Sequence, residues 1–295
     1  MRVTEATMYQ HTIDSANIAL ANEAKAQAQV SSGLRVQSPG DDPQAAAMLV
    51  RQRFNQAQIT AIQNGTQSAT DELNAADSAL DGLNTVLARA QVLATQFGND
   101  TYTETDRDAA ASEIDGLIKQ GMANLNTRFG SRYIFGGNKD SQAPFDDNGV
   151  YRGDSGVRQV EVAPGVYEDA SVRADIMAVG TGGGVDILQT MKDLSTALRA
   201  NDGDAIRTNI GNLTTACNQV STARSQVGTS VNIFTSATNA CAAQVSDAKR
   251  VIGELGDADV MDASSRLSLA QYALNATLTA AAKTLNISLI DLLNR

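Results

Sequence analysis

Few side chains in this sequence are equipped to do chemistry. Its one histidine, His11, lies in an N-terminal stretch of helical spacing, and nothing places a nucleophile beside it. A Ser-His-Asp relay would have to use that imidazole. A zinc site needs more His or Cys ligands at usable spacing than the chain holds. Cys217 and Cys241 are 24 positions apart. On one helix that separation is about 36 Å, too far to bridge, so both read as packed helix residues. The run Gly180-Thr181-Gly182-Gly183-Gly184 lacks the Gly-Lys-Ser/Thr ending of a phosphate loop and reads as a linker. The acidic stretch 146–154 lacks the closing Glu of an EF-hand and reads as turn chemistry. No catalytic, metal or cofactor-binding residue is named, and a non-enzymatic chain is expected.

The elements that would have to position a site tell more. The chain has 295 residues and a net charge of −10, with no basic stripe of the kind a phosphate backbone requires, so no nucleic-acid partner is expected. Aromatic residues make up 4% and Trp is absent, so Ala, Leu, Val and Ile must fill the core, which suits thin helical layers. No run of about 18 uncharged apolar residues exists, so no membrane span is expected. The start, Met1-Arg2-Val3-Thr4-Glu5, has no apolar core of a cleaved signal.

Apolar spacing carries the main signal. Positions 59, 62, 66, 69, 73, 76, 80, 83, 87, 90, 94 and 97 alternate steps of three and four, and Leu73, Leu80, Leu83 and Leu87 lie among them. That is the seam of a coiled coil. Ser38-Pro39-Gly40-Asp41-Asp42-Pro43 starts this helix, with Asp42 as N-cap and Pro43 in the first turn, and Gly98 ends it. The helix spans about 55 residues, roughly 82 Å. A second series runs from 206 to 255 through Ile210, Leu213, Val220, Val227, Val245 and Ile252, broken only by Arg224 and Thr238. It predicts a helix of about 52 residues, roughly 78 Å. Polar breaks of this kind fix register at some cost in stability. Two long helices flanking an insertion predict an antiparallel pair.

Shorter helices are predicted over 104–129 and 185–200, each with one apolar stripe. Residues 131–183 change character, with turn signals at Asp147-Asn148-Gly149 and Pro164-Gly165. The expected fold is mainly α: a long antiparallel coiled-coil or helical-bundle rod (43–130 and 184–255) with a small β-rich insertion (131–183). The terminal regions, 1–42 and 256–295, form helices that cannot bury their apolar edges alone. Ile13 and Leu20 lie on one edge of the first. In the second, Leu267 and Leu274 lie on one row and Leu278, Leu285 and Leu292 on another. These seven residues are the expected subunit-assembly contacts.

The ends also carry a resemblance. Ser264-Ser265-Arg266-Leu267, Gln271-Tyr272-Ala273-Leu274 and Ile287-Ser288-Leu289-Ile290-Asp291-Leu292-Leu293 resemble the C-terminus of the bacterial flagellin superfamily. Ser31-Ser32-Gly33-Leu34-Arg35-Val36 resembles that family's loop between its first two helices. Three features resemble the branch that joins hook to filament: the opening Met1-Arg2-Val3 with Tyr9, the Asp41-Asp42-Pro43 turn, and Arg132-Tyr133-Ile134-Phe135-Gly136-Gly137 ahead of Pro144-Phe145. The resemblance implies export in unfolded form through the flagellar type III route, held beforehand by an export chaperone. It implies assembly as a ring-like layer of copies between the first hook-associated protein and flagellin. A filament-forming flagellin is the first alternative. An adhesin or enzyme carried on the insertion is the second, although about 53 residues are few for an independent catalytic domain.

Overall fold

The computed structural model describes residues 5–99 and 101–293, with residues 5, 6, 8, 9 and 284–293 described by their backbone alone. The chain is mainly α. Its elements are α1 (Glu5–Ser32), α2 (Pro43–Phe97), α3 (Glu104–Leu125), β1 (Arg128–Phe129), β2 (Arg132–Tyr133), β3 (Gln159–Ala163), β4 (Val166–Asp169), α4 (Ala174–Met177), α5 (Ile187–Arg199), α6 (Gly203–Gly256) and α7 (Val260–Leu293). Contacts divide it into two units, Ile59–Ala243 and Met1–Gln58 with Gln244–Arg295.

In the larger unit, every seam position of α2 from Ile59 to Phe97 is buried. From Glu72 onward a third row, Glu72, Ala79, Val86 and Leu93, is buried as well. Two rows of a heptad meet one partner helix, so a third row requires a second partner. The first partner is α6. Thr66 lies 2.9 Å from Thr238, Arg224 reaches Asp77 and Asp81, Gln91 donates to Thr214 at 2.9 Å, and Arg207 donates to the Gly98 carbonyl at 3.0 Å. Numbers fall along α6 as they rise along α2, so the two helices are antiparallel. The second partner is the packed pair α3 and α5, whose Ile114, Ile118, Leu125, Leu188, Met191, Leu194 and Leu198 join the same core.

Along α6, one heptad row (Ile206, Leu213, Val220, Val227, Phe234, Cys241) is buried, and the other (Ile210, Cys217, Arg224, Val231, Thr238) is half-buried. Thus Leu73, Leu80, Leu83, Leu87, Leu213, Val220 and Val227 line the core of the larger unit, with Ile210 at its margin. Val245 and Ile252 are half-buried in the smaller unit, where Ile252 packs on Val36, Ala45 and Leu49.

The insertion holds two antiparallel hairpins, β1–β2 and β3–β4, the latter turning at Pro164-Gly165 with Gly165 at φ 78°. A further turn, in which the Gly149 N–H donates to the Asp146 carbonyl at 2.7 Å, brings Phe145 opposite Tyr151. Two-stranded hairpins this short are not stable alone. Phe135, Phe145, Val172 and Met177 accordingly enter the core shared with the helices. Helix α3 stops at Leu125, short of the expected 129, and Phe129 lies in β1. The cause is Asn126, whose side chain donates to the Phe145 carbonyl at 2.9 Å and accepts its N–H at 3.0 Å, drawing the chain into the insertion.

Candidate functional site

The smaller unit is organised by the loop between α1 and α2. Gly33 takes φ 70°, which L side chains rarely adopt, and turns the chain out of α1. Leu34 then pairs with Asp257 in an antiparallel bridge, Arg35 N–H donates to the Gly256 carbonyl at 2.7 Å, and Ala258 N–H donates to the Gly33 carbonyl at 2.8 Å. The chain leaving α1 therefore lies beside the chain entering α7, so the two terminal helices run antiparallel along each other. Arg35 secures the crossing. Its guanidinium donates to the Leu255 carbonyl at 2.6 Å, at the negative end of α6, and to Asp42 at 3.1 Å. Asp42 also accepts the Ala45 N–H at 3.0 Å as the N-cap of α2. Lys25 of α1 pairs with Asp41 at 2.8 Å and, with the Ser38 donors, holds that carboxyl well below the usual carboxylate range.

The terminal pair is packed in part by small residues. One row that loses solvent on α1 is Thr12, Ala16, Ala19, Glu23, Ala26 and Val30, in steps of four and three, joined near its end by Ala28 and Gln29. On α7 the row is Ala263, Leu267, Ala270, Leu274, Thr277 and Ala281, spaced alike. Alanine holds half of these positions, and Leu267 and Leu274 are among the larger side chains turned inward. Other large side chains point outward. Ile13 is 52% exposed, Leu20 55% and Leu278 50%. The seven expected assembly residues thus divide. Ile13, Leu20 and Leu278 face solvent. Leu267 and Leu274 are half-buried on the row that meets α1. The side chains of Leu285 and Leu292 lie outside the described residues.

Heptad reading missed Ile18, Leu269 and Tyr272, which are exposed on the same two helices, with Tyr272 at 77%. The available signal was that they fall off the seam steps and yet are large and apolar. Tyr272, Asn275, Ala276, Thr279, Ala280 and Lys283 line an open groove of about 470 Å³ along one flank of α7. Its lining comes from one helix surface and lacks the enclosure of a small-molecule pocket. Further exposed apolar residues of this unit are Val50 and Phe54 on α2 and Val260 and Met261 at the start of α7.

Among the described residues, the side chains whose types could do chemistry lie apart. His11 is exposed. Cys217 and Cys241 are free, and burial pushes both thiols up, away from the reactive thiolate. Burial pushes the Tyr151 hydroxyl up to about 12, and it donates to the carbonyls of Phe135 and Asp154. Among the described residues no group of three His, Cys, Asp or Glu is placed to hold a metal ion, and no helix is long and apolar enough to cross a membrane.

Two family models match the chain: the bacterial flagellin N-terminal helical region over residues 3–140 and the bacterial flagellin C-terminal helical region over residues 210–293. The flagellar hook-associated protein 3 of Escherichia coli is 27% identical over 99% of both chains. The flagellar hook-associated protein 3 of Salmonella typhimurium is 33% identical over 54% of this chain, and the match takes in 51% of that protein. The solved structure of a putative flagellar hook-associated protein from Vibrio parahaemolyticus shares the fold, with a TM-score of 0.68 at 20% identity, over 74% of this chain and all of that one.

Proposed function

Because the chain belongs to the bacterial flagellin family by its N- and C-terminal helical regions alike, we propose that it is a structural subunit of the flagellum that joins hook to filament. The observation that carries this reading is the outward turn of Ile13, Leu20 and Leu278 on a helix pair whose inner seam is already filled, by alanines together with Leu267 and Leu274. Such a pair has satisfied itself within the chain and keeps an apolar surface for neighbours. The end-to-end match to a hook-associated protein, rather than to a filament flagellin, favours the junction role.

In this reading residues 1–42 and 256–295 form the assembly region, 43–130 and 184–255 the coiled-coil body, and 131–183 the insertion. Copies form a ring-like layer with the first hook-associated protein on one side and flagellin on the other. The chain leaves the cell unfolded, after release from an export chaperone, and acts outside the cell. Deleting residues 262–295 is expected to leave a helical protein that no longer joins hook to filament. A strain making only that form should keep its hooks and shed filament protein into the medium. Motile cells with attached filaments would overturn the proposal.

A further inference from the structure

The two long seams are interrupted in places that match each other. Arg224, the one charge on the α6 seam, donates to Asp77 at 2.9 Å and to Asp81 at 2.7 Å. Thr238, the other polar break, lies 2.9 Å from Thr66, which is fully buried. The Thr66 hydroxyl already donates to the Gln63 carbonyl at 2.9 Å, so Thr238 is the donor of that pair.

The placement of the charges matters as much as their pairing. Arg224 sits inside the α6 seam, 206–255, and Asp77 and Asp81 lie beside the α2 seam, 59–97. Suppose two copies pair α6 with α6, parallel and in register. Arg224 then meets Arg224. Pair α2 with α2 in the same way and carboxylates meet carboxylates. Of these pairings, α2 with α6 sets unlike charges together, and in one register. Sliding by a heptad would put Arg224 opposite Asn84 and Ala88, or Thr70 and Asn74, none of them a carboxylate. Thr238 would face Leu73 or Ile59. The apolar positions repeat every seven residues and resist such slips weakly, and polar breaks and complementary charges are the recurring devices that select partner and register in coiled coils.

We infer that Arg224 with Asp77 and Asp81, seconded by Thr66 and Thr238, is a pairing code that sets α2 and α6 in one register and opposes in-register parallel pairing of α6 with α6, or of α2 with α2, between copies.

The full-length chain tests this with native cysteines removed (C217A, C241A) and spin labels at Q91C and T214C, which face each other across the pair. The parent should give one narrow distance and a monomer mass. R224L should add a second, longer distance, because an axial slip of about 10 Å, one heptad of rise, acts across the line between the labels and lengthens it by a few ångströms, and a species of twice the mass. D77R/D81N/R224D re-forms the pair with signs exchanged and should return to one distance and one mass. An R224L chain that keeps the single distance and monomer mass would overturn the inference. So would an R224L chain that unfolds, since the arginine would then serve stability rather than choice. A sign-exchanged chain as heterogeneous as R224L would overturn it too.

Discussion

Glu72 is the most deeply buried carboxylate among the described residues of the larger unit, and it holds two cations at once. Its Oε2 accepts from Arg132 at 2.8 Å and from Arg158 at 2.7 Å. Arg132 belongs to β2 and Arg158 immediately precedes β3, so one side chain of α2 ties both halves of the insertion to the helix. The Glu72 side chain is 7% exposed, against 37% and 29% for the two arginines. A buried charge is tolerable only while paired, and E72A would leave both guanidiniums without this acceptor. Breaking a fully buried pair costs about 3–5 kcal/mol. With the guanidiniums roughly a third in solvent, about 2 kcal/mol is expected. Urea unfolding of E72A checks this, and a change under half a kcal/mol would mean that water replaces the carboxylate freely. Sequence reading did not single out Glu72. A glutamate one step off an apolar seam looks like a solvated charge until the insertion is known to fold back over it.

At the scale of elements, helix glycines give a direct contrast. Gly116 on α3 is exposed, and an added Cβ would meet nothing within 4 Å. Gly82 on α2 faces Asn124 of α3, whose Nδ2 would stand 2.8 Å from that Cβ. Alanine is favoured over glycine in a helix interior by about 1 kcal/mol. G116A should therefore gain about that much in thermal or denaturant unfolding. G82A should forfeit it, because the Asn124 amide has to move within a packed interface. Equal gains at both sites would show the α2–α3 contact to be loose.

The long helices were legible because their apolar residues keep strict steps over many turns. The third buried row of α2, at Glu72, Ala79, Val86 and Leu93, was not read, since Glu and Ala carry little apolar signal. The insertion was legible at its turns, where glycine at positive φ leaves a mark, and not in its packing, which depends on the helices beneath it. The faces of the terminal helices were half legible. Heptad steps picked out their apolar rows, but not which row turns inward. On α1 Ala16, Ala19 and Ala26 turn in while Ile13 and Leu20 turn out, and on α7 the row of Leu267 and Leu274 turns in while Leu278 turns out.

For the whole molecule, that arrangement has a testable consequence. A side chain such as Leu20 or Leu278, about half exposed, has on the order of 1 kcal/mol of burial still to gain. Nothing within the terminal pair supplies it. The chain carries a net charge of −10, so copies repel at long range, and association must come from apolar contact at short range. Outward and inward substitutions should then separate cleanly. I13S/L20S/L278S removes surface that the single chain does not use, so circular dichroism should stay at the parent level while incorporation at the hook is lost. A26L instead forces a large side chain into the α1–α7 seam, where Ala26 is 6% exposed. Overpacking of that kind costs about 1–3 kcal/mol, and here it should unpair the helices and expose the ends to proteases before any assembly step. Screening adds a third arm. Raising the ionic strength weakens the repulsion between copies beyond a Debye length of about 8–10 Å and leaves apolar contact intact. Association between copies of the parent protein should therefore strengthen with salt. Association that weakens with salt, or a triple serine variant that still incorporates, would mean that charge pairs rather than these apolar faces hold the assembly together.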